Sequence, residues 1–235
     1  MTRRMFAEFL GTAGLLLAVV GSGITTSTDG AASAQLFQHA AVVGVTLAAL
    51  IVTLGPVSGA HFNPVVTVAD TVFGGMAWRI AGAYITAQIA GAVAGVVGAN
   101  LLFALPAVEI ATTERAGAAP AASEVVATFG LLIVIFGVVR SGQTAAVPAA
   151  VGAWIAGAIY FTPSAAFANP AVTIARALTD TYTGIAPSSV PLFLAAQLVG
   201  AALAAGAVAA LFRPDPATAS DVVVPHPLTD REGSR

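Results

Sequence analysis

The chain of 235 residues contains no cysteine and no lysine, and only 9% of it is charged. Without cysteine there are no disulfides and no thiolate metal sites. Its three histidines, His39, His61 and His226, are far apart, and no nucleotide-binding or metal-ligand spacing accompanies them. Ser58 and His61 are too local to form an intramembrane serine-protease pair. The sequence therefore gives no reason to expect an enzyme, a cofactor or a metal site. A net charge of -2 argues against nucleic acid as a partner. The scarcity of charge is most informative where it is continuous. Hydrophobic residues make up 57% of the chain and mean hydropathy is +0.90, outside the range of ordinary soluble domains.

A hydrocarbon core about 30 Å thick needs about 20 apolar residues in a helix. Six uncharged stretches meet that requirement approximately: Phe9–Thr25, Phe37–Leu54, Ile80–Leu105, Val125–Val139, Ala145–Phe161 and Val190–Phe212. The fourth is extended at its start by Ala121–Glu124. All nine basic residues are arginine. With the N-terminus inside, Arg3, Arg4, Arg79, Arg140, Arg213, Arg231 and Arg235 are cytoplasmic, which leaves Arg115 and Arg176 outside or re-entrant. This positive-inside bias predicts a multi-pass protein of the cell (inner) membrane with both termini in the cytoplasm. The first span is long and lacks a convincing cleavage site, so it is expected to stay in the protein. Pro106–Pro120 reads as a long external loop, and 213–235, rich in proline and charge, as a disordered cytoplasmic tail.

Two short frames interrupt the apolar runs, Ser58-Gly59-Ala60-His61-Phe62-Asn63-Pro64-Val65 and Ser164-Ala165-Ala166-Phe167-Ala168-Asn169-Pro170-Ala171. Asn followed by Pro starts a helix, because the Asn oxygen caps free backbone N–H groups and Pro suits the first helical position. Each frame therefore opens a helix too short to span. Other landmarks double with them: Glu8-x3-Thr12-x-Gly14 returns as Glu124-x3-Thr128-x-Gly130, and Gln88-x2-Gly91 as Gln197-x2-Gly200. The chain is thus a tandem of three-span halves, about 5–105 and 121–212, within a channel domain 1–212. An odd number of crossings per half makes the second half inverted, so the Asn-Pro helices enter from opposite faces and meet near the midplane. Their converging positive ends suit neutral polar solutes and repel cations. This counts against the main competitor, a coupled secondary transporter, which would use carboxylates or unwound carbonyls to hold ions.

Individual polar residues carry different weights. Glu8 and Glu124 sit inside spans, where a carboxylate is a functional hypothesis. Proton relay and hydrogen-bond support of the two re-entrant loops are both open, and the symmetric duplication favours support. Gln88 and Gln197 read as interhelical hydrogen-bonders. His61 is read as lining the cytoplasmic vestibule or bracing its loop, and His39 and His226 as surface residues. Asp70 and Arg176, each seven positions after its Asn, are expected to end the short helices near opposite membrane surfaces.

These residues resemble the aquaporin and aquaglyceroporin (major intrinsic protein) family over about Phe6–Phe212. The resemblance implies an all-α membrane protein of six transmembrane helices plus two re-entrant half-helices in an inverted repeat. It also implies a homotetramer in the lipid bilayer with one pore per subunit, in which Asn63 and Asn169 donate to a single file of small neutral solutes. Two positions depart from the family pattern. The first box ends in Val65 rather than Ala, and Val172 follows Pro170 and Ala171 where the family usually carries the filter arginine. Arg176 lies four positions later. Family spacing places the other constriction residues at Val43, Gly157 and Ala166, and a register set from Pro148 replaces Gly157 by Ile159. Either set is wide and apolar, without His or Arg. Such filters resemble a bacterial branch associated with glycerol-like solutes and arsenicals. Permeation of water, polyols and arsenite or antimonite follows as an expectation, with a water-selective channel as the alternative.

Overall fold

In the computed structural model, residues 1–26 and 31–212 are described, and their regular structure is entirely helical. Eight α-helices follow in order: α1 Thr2–Thr26, α2 Ala32–Ser58, α3 Pro64–Val72, α4 Trp78–Leu102, α5 Ala118–Arg140, α6 Val147–Phe161, α7 Pro170–Ala175 and α8 Val190–Leu211. Six are long and apolar enough to cross a membrane, α6 and α8 with the help of short 3-10 turns ahead of them. The order long, long, short, long is repeated once. The packing repeats with it, since α1 lies against α4 as α5 lies against α8, and α2 meets α6 across the two halves.

Helix boundaries depart from the hydropathy estimates where polar or small residues prolong a helix. Helix α2 starts at Ala32 rather than Phe37, and it runs through Pro56 to end at Gly59, whose φ of 86° terminates it. Helix α5 already starts at Ala118, so Pro120 lies in its first turn, where a missing N–H costs no hydrogen bond, rather than closing the external loop. That loop also returns to the protein: Glu109 and Ala111 donate backbone N–H groups to Leu178 and Ala177. The 213–235 tail and His226 lie outside the described residues.

Small residues set the helix spacing. A Cβ on Gly44 would stand 2.6 Å from the Gly152 carbonyl oxygen, and one on Gly152 2.5 Å from that of Gly44, so α2 and α6 cross in backbone contact. Gly91 faces the Phe9 carbonyl of α1 and Gly200 the Val125 carbonyl of α5, a matched pair in the two halves. Outward faces are as apolar as inward ones: Val45 is 72% exposed and Leu102 78%. In water this would be an aggregation surface; in lipid it is the solvated face.

Candidate functional site

The two half-helices begin as their sequence predicts. Asn63 Oδ1 accepts from Val65 N at 3.0 Å, and Asn169 Oδ1 from Ala171 N at 2.9 Å and Val172 N at 3.3 Å, with proline next in each helix. The two boxes are also tied to each other. Asn63 Nδ2 donates to the Ala168 carbonyl at 2.8 Å, and Asn169 Nδ2 donates to the Phe62 carbonyl at 2.8 Å. An amide NH2 has two hydrogens. One of them locks the opposite loop, and the second remains for whatever occupies the adjoining cavity, which both asparagines line.

The loops ahead of these helices are strained. Ala60, Phe62, Ala165, Ala166 and Ala168 all have φ between 42° and 57°, a left-handed conformation that non-glycine residues adopt at a cost of order 1–3 kcal/mol each. Two buried carboxylates hold them there. Glu8 accepts from His61 N at 3.1 Å, Phe62 N at 2.8 Å and Ser58 Oγ at 2.6 Å. Glu124 accepts from Phe167 N at 2.9 Å and Ala168 N at 2.8 Å. Gln88 Nε2 and Gln197 Nε2 each donate both to their carboxylate and to a half-helix threonine, Thr67 or Thr173. Neither Glu8 nor Glu124 lines the cavity; both stand behind the loops.

A lumen of about 60 Å³, large enough to hold water, adjoins both asparagines. Its walls are stripes of every fourth residue, the spacing that keeps side chains on one helix face. Helix α2 supplies His39, Val43, Leu47 and Ile51, and α6 supplies Val151, Ile155 and Ile159. Of the predicted constriction residues, Val43, Ile159, Ala166 and Val172 are brought together on this wall. Gly157 is not on it. Two residues away from both Ile155 and Ile159, it is turned off the stripe and packs toward Phe161. Pro64, Val65, Pro170 and Ala171 do not line the lumen, while His61 does. The His61 ring lies 3.1 Å from Thr67 Oγ1 and 3.7 Å from Asp70 Oδ2.

Three polar residues are buried, and for one of them, His39, this differs from expectation. His39 is buried, with Ser22 Oγ 2.7 Å from its Nδ1, and is no surface residue. A signal for it existed: it lies four positions before Val43, on the same helix face. Arg176 caps the C-terminal end of α7, as expected, and is 4% exposed. Its guanidinium lies over the Phe167 ring, with Cζ 3.4 Å from the centroid, its Nε donates to the Thr183 carbonyl, and the side chain lines the lumen. Asp70 is likewise buried, at the end of α3 beside His61. The loop between α4 and α5 adds Arg115, which donates from Nε to Gly184 O at 2.8 Å and from Nη2 to Tyr182 O at 3.0 Å. Burial draws its guanidinium below the usual arginine range. Beyond the lumen a wider vestibule of about 410 Å³ opens among Leu36, Arg115, Tyr160 and Tyr182.

Such a molecule can pass small polar solutes through an apolar tube past two fixed amide donors. A family model described as Major intrinsic protein matches residues 1–163. "Aquaglyceroporin AqpS" from Rhizobium meliloti (strain 1021) is 43% identical over 215 residues, which is 91% of this chain and 92% of that protein. "Aquaporin NIP1-4" from Oryza sativa subsp. japonica is 35% identical over 77% of this chain and 68% of its own length. The fold resembles the X-ray structure of the aquaglyceroporin from Plasmodium falciparum, with a TM-score of 0.67 and 22% identity, over 87% of this chain and 94% of that one. With its six membrane helices and paired half-helices, the chain belongs to the major intrinsic protein family, multi-pass membrane channels for water and small solutes rather than enzymes.

Proposed function

We propose that this channel conducts glycerol-sized polyols and trihydroxy metalloids such as arsenite or antimonite as well as water. One observation supports the reading: Val43, Ile159, Ala166 and Val172 all line the lumen, with a valine at the position directly after Pro170 and Ala171. A long guanidinium at Val172 would fill that section; a valine leaves it open and apolar, and three-carbon solutes gain room. The extensive similarity to a protein called an aquaglyceroporin supports the same class. Both termini are cytoplasmic in this reading, the membrane is the inner membrane, and the working particle is a homotetramer. Proton and cation exclusion comes from the two half-helix N-termini and from Asn63 and Asn169, none of which depends on Val172.

Val172→Arg is the direct test in proteoliposomes by stopped flow. Glycerol and arsenite flux should fall about tenfold, with water flux reduced much less. A wild type that passes water alone would overturn the reading, as would a Val172→Arg channel with unchanged glycerol and arsenite flux.

A further inference from the structure

Two arginines, Arg115 and Arg176, line the vestibule beyond the lumen. Arg115 comes from the loop between α4 and α5, and Arg176 from the end of α7. Three successive backbone carbonyls hold them side by side. Arg115 donates from Nη2 to Tyr182 O and from Nε to Gly184 O, and Arg176 donates from Nε to Thr183 O. The carbonyl cradle is itself pinned. Gly184 N donates to Thr181 O, Ile185 N to Arg176 O and Ala186 N to Thr113 O, while Asp180 accepts from Thr112 N and Oγ1. Both guanidiniums also lie against one aromatic ring, with Cζ 5.3 Å and 3.4 Å from the Phe167 centroid.

Carbonyls and an aromatic face orient a guanidinium without cancelling its charge. The carboxylates that could cancel it are spent elsewhere, Asp180 on Thr112 and Glu124 on Phe167 N, Ala168 N and Gln197. No Asp or Glu lines the vestibule, and among the described residues no ion pair joins either arginine. A guanidinium has five N–H groups. Three of Arg115's and four of Arg176's are left without a hydrogen bond among the described residues. Two fixed like charges so placed repel each other, and with Arg176 buried there is little water to screen them.

We propose that the vestibule binds one dissolved tetrahedral oxyanion, of the class of inorganic phosphate, sulfate and arsenate, between Arg115 and Arg176. A dianion answers both charges, and its oxygens accept from the free N–H groups in the forked geometry that guanidinium favours. The vestibule, about 410 Å³, is ample for such an ion. Arg176 lines the lumen as well as the vestibule, so an anion held on it stands over the passage between the two and obstructs it. Occupancy slows every permeant alike instead of choosing among them. The site goes beyond the solute reading above and does not depend on it, because water flux reports on the obstruction as well as glycerol flux does.

For the test, the full chain is reconstituted in phosphatidylcholine vesicles, whose headgroups carry no net charge, with the same salt on both faces so that orientation does not matter. Stopped-flow water and glycerol fluxes are compared in sodium phosphate and in sodium chloride of equal ionic strength. Phosphate at about 20 mM should lower both fluxes at least about threefold and by the same factor. Arg115→Gln should need about tenfold more phosphate for equal block, and Arg115→Lys, which keeps the charge and loses the fork, should fall between, each variant being compared with itself in chloride. Isothermal titration of the purified wild type with phosphate should give one site per chain, and it needs no variant to fold. Wild-type fluxes equal in phosphate and chloride, or no saturable binding in the titration, would overturn the proposal. So would a block that Arg115→Gln leaves unchanged, or one that spares water while stopping glycerol. A wild type that passes water alone overturns the solute reading instead, and phosphate block of that water would still support the anion site.

Discussion

Asn63 and Asn169 each do several things with one amide. The oxygen caps the following helix, one N–H crosses to the carbonyl of the opposite loop, and the remaining N–H is free for a permeant. An apolar replacement removes all of these together. Loss of an N-cap costs about 0.5–2 kcal/mol, and the Phe62 carbonyl loses its donor besides. Asn169→Leu should therefore lower thermal stability in detergent and abolish most solute flux in the surviving protein. Assembled Asn169→Leu channels with wild-type flux would show that the amide is no part of the permeation path.

The re-entrant loops are the elements most dependent on distant help, because five alanine or phenylalanine residues in them hold left-handed φ values that glycine would adopt without strain. Glu8 and Glu124 supply the compensation, each anchored in a spanning helix and each accepting two backbone N–H groups from its loop. The glutamines behind them, Gln88 and Gln197, complete two near-identical networks. Glu8→Leu or Glu124→Leu leaves those N–H groups buried and unpaired, at about 1–3 kcal/mol each. Yield of folded protein should drop sharply in both. Glu8→Gln and Glu124→Gln keep an acceptor oxygen and should retain much of the flux. Normal folding of the leucine variants, with flux that merely loses its pH response, would instead mark the carboxylates as a proton path.

The whole molecule has an internal lumen and an apolar exterior, and its outward valines and leucines require lipid or further copies of the chain as their surroundings. In the proposed homotetramer, part of that exterior packs against neighbouring subunits. Cross-linking in native membranes should then give a ladder ending at four chains of 23.2 kDa each, and a C-terminal tag should be reachable by antibody only after the cells are permeabilised. A ladder that stops at one chain removes the tetramer, and a tag labelled on intact cells inverts the topology.

Much of this architecture was legible along the chain, because its causes are local or periodic. Span number follows from hydrophobic length, each half-helix start from an Asn-Pro pair that caps itself, and the inverted repeat from doubled landmarks separated by an odd number of crossings. The assignment of Glu8 and Glu124 to their loops was legible for the same reason, since two symmetric carboxylates matched two symmetric deficits of backbone partners. Which side chains face the lumen was another matter. Gly157 and Ile159 are both small or apolar residues two positions apart, and only the packing of α6 against α2 turns one to the wall and the other away. His39 and Arg176 look, in sequence, like residues near helix ends. They are drawn inward by Ser22, Phe167, Thr183 and Tyr182, partners between 7 and 143 positions away that no local pattern connects to them. Local capping and periodicity act within a few residues of chain; the composition of a pore wall depends on the relative rotation of helices, and that is decided by contacts between segments far apart in sequence.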